Sequence, residues 1–471
     1  MISENLKSLI KENFSPSARE KALDRAEELI LRGLSDEKII VGIIRNETAI
    51  PKRLPAELYD KMNYMCRRKM DRIARFEIEY DFIPNISVLK TVLVALIESA
   101  PVFHSIFIDN HINPYWKVTD YHIDDILTVK EADDLLQSAD DFLLQDIPVK
   151  NNVQIKIGLF FREGKSRLCF AFNHMCMDGG GLKSFLHDLF TSYNSYLKNG
   201  TFSLFYSGKS RAYECVYADM SKEDRKAAKK LFANISPKDE HSLPFSDKNE
   251  SDSKMLVRKK IGSDIFNSVK LKAKSYGATA NDLLIAAYIR AFYDISQCDK
   301  SEGMVASCAV DLRRYISRPE ELGYTNHTTF MPCAVEGKGK TMADTLKAVV
   351  KSTAEAKKDK FMGLHGIPLL NLGFSTMVYA QAEFITSLFY NVANLSVSNV
   401  GAIDPYMLEM DNTVPSCVWV GGAAKEKPCA AMNALSYNGD LMLSICVRGN
   451  GNDKKMLTKF LDRIEENIKL L

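Results

Sequence analysis

The chain of 471 residues lacks an excess of charge of either sign. Lysine and arginine number 62, aspartate and glutamate number 60, and the formal net charge is +2. A balance this even gives no electrostatic case for a nucleic-acid or anionic-membrane partner. The chain also lacks an apolar run of 18 residues, because the best candidate, Ala280 to Ile295, contains charged side chains. That run predicts a core helix, and no membrane-spanning segment is expected.

No Cys-x-x-Cys motif occurs among the ten cysteines, most of which lie in apolar surroundings. Scattered cysteines of this kind are typical of small buried side chains in a reducing compartment, and not of a disulfide framework or a zinc site. The first residues contain no basic segment followed by an apolar one, so no secretory signal is expected. The sequence therefore predicts a cytoplasmic protein.

The length and the order of apolar patterns predict two similar-sized α/β domains that follow a helical appendage. Residues 1–55 are predicted to form this N-terminal extension, whose role the sequence leaves open. Residues 56–233 are predicted to form the first domain and residues 255–471 the second. The segment 234–254 is rich in Ser, Asp, Lys and Pro, which indicates a surface linker or crossover.

The segment from Leu168 to Tyr193 is the most informative part of the chain. Leu168 to Phe172 is a continuous apolar run, which predicts a strand buried on both faces. Apolar residues then recur up to Tyr193 at the spacing of one helical face. His174 lies between the two elements, in a tight turn at the end of a core strand. A histidine in that position is well placed to act as a base near neutral pH.

Three glycines, Gly179 to Gly181, follow this histidine. They permit unusual backbone angles and are expected to leave room near His174. A phosphate-binding turn is the alternative, but the Gly-x-x-x-x-Gly-Lys-Ser/Thr spacing is missing. Cys176 is an alternative nucleophile, whose activation cannot be judged from the sequence.

These residues resemble the chloramphenicol-acetyltransferase-like acyltransferases, a superfamily that includes condensation domains, alcohol acetyltransferases and wax-ester synthases. The family motif His-His-x-x-x-Asp-Gly reads Asn-His-Met-Cys-Met-Asp-Gly here, from Asn173 to Gly179. Further segments support the resemblance over residues 60–471, in family order: Ala74–Trp116, Gly277–Leu284, Val310–Arg314 and Ser398–Gly401. The resemblance implies two similar domains, each a mixed sheet flanked by helices, with an active-site channel between them.

The resemblance also implies a role for each motif residue. His174 would be the general base. Asp178 would pair with Arg313 of the other domain and, together with Gly179, would support the active-site loop. The alternative is that Asp178 orients His174 directly, as in a catalytic triad.

Three further residues are candidates for oxyanion or substrate contacts. Ser398 and Asn399 are candidates by resemblance, and the alternative is that they simply end a strand. Asn173 replaces the first histidine of the family motif, so its effect on the site is open.

The implied activity is transfer of an acyl group, with acetyl among the candidates, from a coenzyme A thioester to an alcohol or amine. Transfer would be direct, without an acyl-enzyme, a covalently bound cofactor or a metal. A stand-alone condensation enzyme that uses donors on an acyl carrier protein is the alternative, since coenzyme A and carriers share the pantetheine arm. A third interpretation is a non-catalytic relative, because Asn173 replaces the first histidine of the family motif. Acyl length, acceptor and oligomeric state stay open.

Overall fold

The computed structural model describes residues 2–46, 51–203, 209–230, 239–296, 298–389 and 393–471. Its strands are β1 (Arg53–Pro55), β2 (Ile73–Tyr80), β3 (Ser105–Ile108), β4 (Tyr115–Val118), β5 (Leu127–Glu131), β6 (Ile155–Arg162), β7 (Lys165–Asn173), β8 (Ser253–Ile261), β9 (Met304–Asp311), β10 (Thr328–Val335), β11 (Leu395–Ile403), β12 (Cys417–Gly421), β13 (Lys425–Glu426), β14 (Ala430–Tyr437) and β15 (Asp440–Gly449). Its α-helices are α1 (Glu4–Asn13), α2 (Arg19–Leu31), α3 (Glu37–Asn46), α4 (Leu58–Met65), α5 (Ile86–Ser99), α6 (Ile123–Ile126), α7 (Leu135–Leu143), α8 (Gly179–Asn199), α9 (Lys222–Lys229), α10 (Ser263–Lys274), α11 (Ala280–Ser296), α12 (Met342–Lys358), α13 (Ile367–Thr376), α14 (Tyr379–Phe389) and α15 (Gly451–Lys469). Residues 234–238 of the predicted linker lie outside the described residues.

The first lobe is built on a five-stranded sheet in the order β12–β2–β7–β6–β5. Strands β2, β7 and β6 pair antiparallel, and β5 joins β6 in parallel. Helices α5 and α8 pack into one apolar core with the sheet, where Phe185 meets Phe170 edge to face with ring centroids 6.3 Å apart. Helix α7 packs on strands β6 and β7 through Phe142, against Phe160. The run Leu168 to Phe172 is fully buried in β7, so the prediction of a doubly buried strand is confirmed.

The second lobe is built on a seven-stranded sheet in the order β10–β9–β11–β14–β15–β13, and β8 also pairs with β15. Strand β11 runs parallel to both of its neighbours, β9 and β14. Helices α11, α12 and α15 bury their apolar residues against the sheet, and Tyr288 of α11 meets Phe460 of α15 with ring centroids 5.2 Å apart. Leu395 and Val397 of β11 face this core. Successive side chains on a strand alternate, so Ser398 faces the opposite side.

One strand ties the two lobes together. Strand β12 comes from the C-terminal half of the chain but pairs antiparallel with β2, from Cys417 opposite Glu79 to Gly421 opposite Arg75. Its Val418 belongs to the apolar core of the first lobe. The predicted domain boundaries stay a prediction, but one strand of the second predicted segment lies in the first sheet.

The N-terminal helices α1, α2 and α3 pack onto the first lobe. Their apolar contribution to its core includes Leu6, Ile10, Leu29 and Ile40. Glu98, near the end of α5, is 2% exposed and forms ion pairs with Arg25 and Arg32. Tyr121 also donates its hydroxyl to Glu98 at 2.7 Å. A buried carboxylate needs such partners, so these helices are an integral part of the lobe.

All ten cysteines are free thiols. In the described part of the chain, no helix combines the length and the apolar character needed to cross a membrane. Within the same residues, no three side chains of the His, Cys, Asp or Glu type gather into a group that would hold a metal ion.

Candidate active site

The turn predicted to contain the base connects β7 to α8. Strand β7 ends at Asn173 and α8 begins at Gly179. Asp178 is the N-cap residue of α8, and its Oδ1 accepts a hydrogen bond from the N–H of Gly181 at 2.9 Å. An aspartate here satisfies one free N–H group of the first helical turn and suits the partial positive charge at that end. The turn is therefore held between two elements that are themselves buried.

The three glycines provide space for neighbouring atoms. They form the first turn of α8 in ordinary helical conformation, so the unusual backbone angles that glycine permits are not used here. A Cβ on Gly180 would lie 2.4 Å from Nη1 of Arg313, and a Cβ on Gly181 would lie 2.8 Å from Cβ of Met177. A Cβ on Gly179 would meet nothing closer than 3.7 Å. Glycine at 180 and 181 thus permits the close approach of the arginine and of the turn itself.

Asn326 fixes the orientation of the His174 ring. Its Nδ2 donates to the carbonyls of His174 and Met175 at 2.7 and 3.1 Å. Carbonyls only accept, so the amide nitrogen must face them and Oδ1 must face the ring. Oδ1 lies 3.1 Å from His174 Nδ1. Since Oδ1 also only accepts, Nδ1 carries the proton of the neutral imidazole, and the lone pair is on Nε2.

His174 Nε2 is available to a reactant. The residue is half-buried, and Nε2 makes no hydrogen bond to any residue within the described ranges. The backbone is fixed as well, because the N–H of His174 donates to the carbonyl of Arg72 at 2.7 Å. The geometry therefore offers an immobilised ring whose neutral form has its basic nitrogen, Nε2, free of protein partners among the described residues, which is what a general base requires.

Asp178 serves the loop. Its carboxylate is 1% exposed and accepts hydrogen bonds from both terminal nitrogens of Arg313, at 2.9 and 3.0 Å. The N–H of His327 and the hydroxyl of Thr328 donate to it at 2.7 and 2.8 Å. Burial alone would raise the pKa of Asp178, but the Arg313 guanidinium and the N–H donors lower it to about 2. In the described structure no hydrogen bond links Asp178 to His174, so the triad alternative has no geometric support.

Asn173 is committed to the turn. The side chain is fully buried, and its Nδ2 donates to Oε1 of Gln154 at 2.9 Å. Its Oδ1 accepts from the N–H of Met175 at 3.1 Å. Both polar ends are therefore used to hold the loop in shape, and a contact between Asn173 and substrate stays a prediction.

Ser398 and Asn399 lie half-buried on β11. Oδ1 of Asn399 accepts from the N–H of Gly401 at 2.9 Å, where the pairing register of β11 with β14 shifts. The adjacent Val400 places its Cγ2 3.7 Å from the Cβ position of Gly179. The structure thus brings this strand of the second lobe beside the start of α8. The oxyanion and substrate contacts of the two residues stay predictions.

Two buried groups near His174 are chemically quiet. Cys176 has no exposed surface, and burial raises the pKa of its thiol far above the ordinary range. A protonated, shielded thiol is a poor nucleophile. His327 is also fully buried, and burial lowers the pKa of its imidazole to about 4. It therefore stays neutral at physiological pH.

Arg211, Arg72 and Asn326 were not among the residues predicted for the site. Arg211 donates from Nη2 to the carbonyls of Met175 and Cys176 at 3.2 and 3.4 Å, and it pairs with buried Asp60 at 3.0 Å. These three residues contact the turn through backbone carbonyls or through one side-chain amide. Contacts of this kind produce no periodic or spaced pattern in the sequence. The nearest signal is the polar loop around Asn326, which joins β9 to β10.

Comparison with known proteins gives the same architecture. A family model described as the condensation domain matches residues 75–310, half of the chain. The structure of polyketide synthase associated protein 5 from Mycobacterium tuberculosis is similar, with a TM-score of 0.62 and 14% identity over 88% of this chain and 97% of that one. A trichothecene 15-O-acetyltransferase from Fusarium sporotrichioides gives a TM-score of 0.65 and 14% identity over 90% of this chain and 96% of that one.

The first condensation domain of the calcium-dependent antibiotic synthetase, in complex with a substrate analogue, gives a TM-score of 0.66 and 12% identity. The match covers 90% of this chain and 96% of that one. No curated protein matches the chain by sequence. At these identities the likeness shows the fold, and it confirms the predicted class of two lobes, each a mixed sheet flanked by helices.

Proposed function

The chain belongs to the condensation-domain family, within the chloramphenicol-acetyltransferase-like superfamily, and on that premise we propose that it is an acyltransferase. It would move an acyl group from a coenzyme A thioester to an alcohol or amine, with His174 as general base. The observation that supports this most directly is the contact between His174 Nδ1 and Asn326 Oδ1. In the neutral imidazole this contact places the lone pair on Nε2, which makes no hydrogen bond to a described residue, and that is the nitrogen from which a base accepts a proton.

The reaction would proceed in two coupled proton movements. The acceptor oxygen or nitrogen attacks the carbonyl carbon of the thioester while Nε2 takes its proton. The tetrahedral intermediate then collapses, the carbon–sulfur bond breaks, and the imidazolium returns the proton to the leaving thiolate. A positioned base of this kind supplies roughly 10²–10⁴-fold in rate. Ser398 and Asn399 remain the candidates to stabilise the oxyanion.

Transfer would be direct, without an acyl-enzyme. The thiol closest to the base in sequence, Cys176, is fully buried, and burial raises its pKa far above neutrality. Its Sγ lies 3.9 Å from the carbonyl of Val102. A covalent route would need an exposed thiolate, and this residue provides neither exposure nor charge.

A condensation reaction with a donor on an acyl carrier protein is the second candidate. It is favoured by the family model, whose description is the condensation domain, and by the likeness to a condensation domain of a peptide synthetase. The same base and the same pantetheine thioester serve both reactions, so the site does not distinguish them. The two reactions are distinguished by which donor, an acyl-CoA or an acylated carrier protein, supports turnover.

The proposal is tested by release of free thiol from acetyl-CoA, longer acyl-CoAs and acyl carrier protein, against a panel of alcohols and amines. We expect thiol release that depends on the acceptor and is lost in His174→Ala. His187→Ala is the matched control, because His187 is exposed on α8 and contacts no part of the turn. Full activity of folded His174→Ala would overturn the mechanism, and no release with any donor would favour a non-catalytic relative.

A further inference from the structure

A cavity of about 320 Å³ lies between the two lobes. Its wall combines residues of the first lobe, such as Arg72, with residues of the second, such as Lys254 and Arg448. Arg72 immediately precedes β2, and its carbonyl accepts the N–H of His174 at 2.7 Å. The cavity is therefore lined by a residue that also fixes the backbone of the proposed base.

Every other cation on this wall has a carboxylate partner. Lys254, whose side chain is 7% exposed, lies between Asp71, at 3.2 Å, and Asp146. The remaining pairs are Arg448 with Glu426 and Arg67 with Glu383. Paired charges of this kind offer little net attraction to an added anion.

Arg72 is different. Its guanidinium has no hydrogen bond and no ion pair to any residue that the structure describes, and its Nε is buried without a partner. Its backbone is left-handed, with φ of 58°, a conformation that costs free energy in a residue with a long side chain such as arginine. An unpaired, partly buried cation on a strained backbone is unfavourable for stability, and such features concentrate where a ligand supplies the missing partner.

We propose that Arg72 binds the phosphate of the donor's pantetheine arm and so anchors the thioester next to His174. This inference rests on the proposed function, which requires a pantetheine thioester. The 4′-phosphate is common to coenzyme A and to carrier-bound pantetheine, so the same subsite serves either source. A guanidinium suits it because two parallel N–H donors match two phosphate oxygens.

The test compares donors with and without the phosphate in wild type and Arg72→Asn. Asparagine is neutral and adopts left-handed backbone angles readily, so the turn should keep its shape. The readout is kcat/KM for each phosphorylated donor, acyl-4′-phosphopantetheine or acyl-CoA, divided by kcat/KM for acyl-pantetheine. An indirect effect of the substitution on His174 changes both values equally and so cancels in this ratio. We expect this ratio to fall about tenfold or more, the effect of one charge-assisted interaction. Arg162→Asn, at the opposite end of the same sheet, should leave it unchanged.

Calorimetric binding of 4′-phosphopantetheine and of acyl carrier protein gives a readout that needs no turnover. Tighter binding of phosphopantetheine than of pantetheine, lost in Arg72→Asn, supports the subsite. If such binding is seen but no acyl group is transferred, only the proposed reaction is overturned. Acyl transfer with an unchanged ratio overturns the subsite and leaves the reaction. A loss seen only with acyl-CoA, or only in the KM of the acceptor, also overturns the assignment. Comparing the binding of acyl carrier protein with that of free 4′-phosphopantetheine shows which source of the phosphate the subsite accepts.

Discussion

Among single residues, Asn326 decides which nitrogen of His174 carries the proton. The two are 152 positions apart in the sequence, and the amide contacts both the ring and the backbone of the turn. Nothing in the motif indicates this contact, because any carbonyl or amide oxygen near Nδ1 would serve equally well. The motif is enough to propose His174 as the base, whereas the tautomer of its ring depends on a contact that only the folded chain creates.

We expect Asn326→Ala to lower kcat/KM by about ten- to a hundredfold, less than loss of the base itself. The ring would lose the acceptor that keeps its proton on Nδ1. In Asn326→Asp a carboxylate would favour the imidazolium, so the acid limb of the pH–rate profile should move to higher pH. A fall in kcat/KM with no movement of that limb in the Asp variant would indicate a merely structural role.

Asp178 should leave a signature in the pH dependence of stability. Its pKa is about 2 in the folded protein, below the ordinary value of 3.8, because the Arg313 guanidinium and N–H donors outweigh its burial. A depressed folded pKa stabilises the protein above the unfolded pKa, and this stabilisation disappears as the pH falls from about 4 to about 2. The loss should be about 2 kcal/mol for this one group.

The measurement is urea unfolding of wild type and Asp178→Asn in steps of pH. The variant should be less stable at neutral pH, since Arg313 loses its buried carboxylate partner and keeps only the more exposed Asp311, and its free energy of unfolding should fall less steeply below pH 4. Parallel curves for the two proteins would show that Asp178 is not the group responsible.

At the scale of elements, local patterns located the segments with the strongest signals. The predicted strand Leu168–Phe172 lies within Lys165–Asn173, and the predicted helix Ala280–Ile295 is Ala280–Ser296. Strand β12 was not predicted, because Cys417–Gly421 is short and its partner β2 is more than three hundred residues earlier. Periodicity shows that a segment is extended but not which sheet it joins.

The packing of α2 on the first lobe predicts a strong dependence on one ion pair. Arg32→Met should destabilise the protein by about 3 kcal/mol, because Glu98 is buried and would keep only Arg25 as a cationic partner. Lys7→Met removes an ion pair with Glu4 in which both side chains are at least half exposed, so it should cost under about 1 kcal/mol. Chemical denaturation measures the free energy of unfolding of both variants and of the wild type. Equal, small effects would show that the N-terminal helices do not stabilise the lobe through Glu98.

For the whole molecule, the two lobes should unfold together. Strand β12 belongs to the first sheet, and the core of the first lobe also contains Leu435 and Met442 of the second sheet. Removing either lobe would expose apolar surface of the other. We therefore expect one cooperative transition by calorimetry and by circular dichroism, with coincident midpoints. Two resolved transitions would mean that the shared strand contributes little.

The crossing of β12 also constrains the order in which a newly synthesised chain acquires its structure. The catalytic turn and helix α8 leave the ribosome more than two hundred residues before Cys417 does. Until then β2 is an open edge, with backbone groups ready to pair with any extended segment nearby. The sheet of the first lobe therefore cannot be completed until a strand of the second lobe has been synthesised, and the turn that contains His174 is made before that sheet is complete.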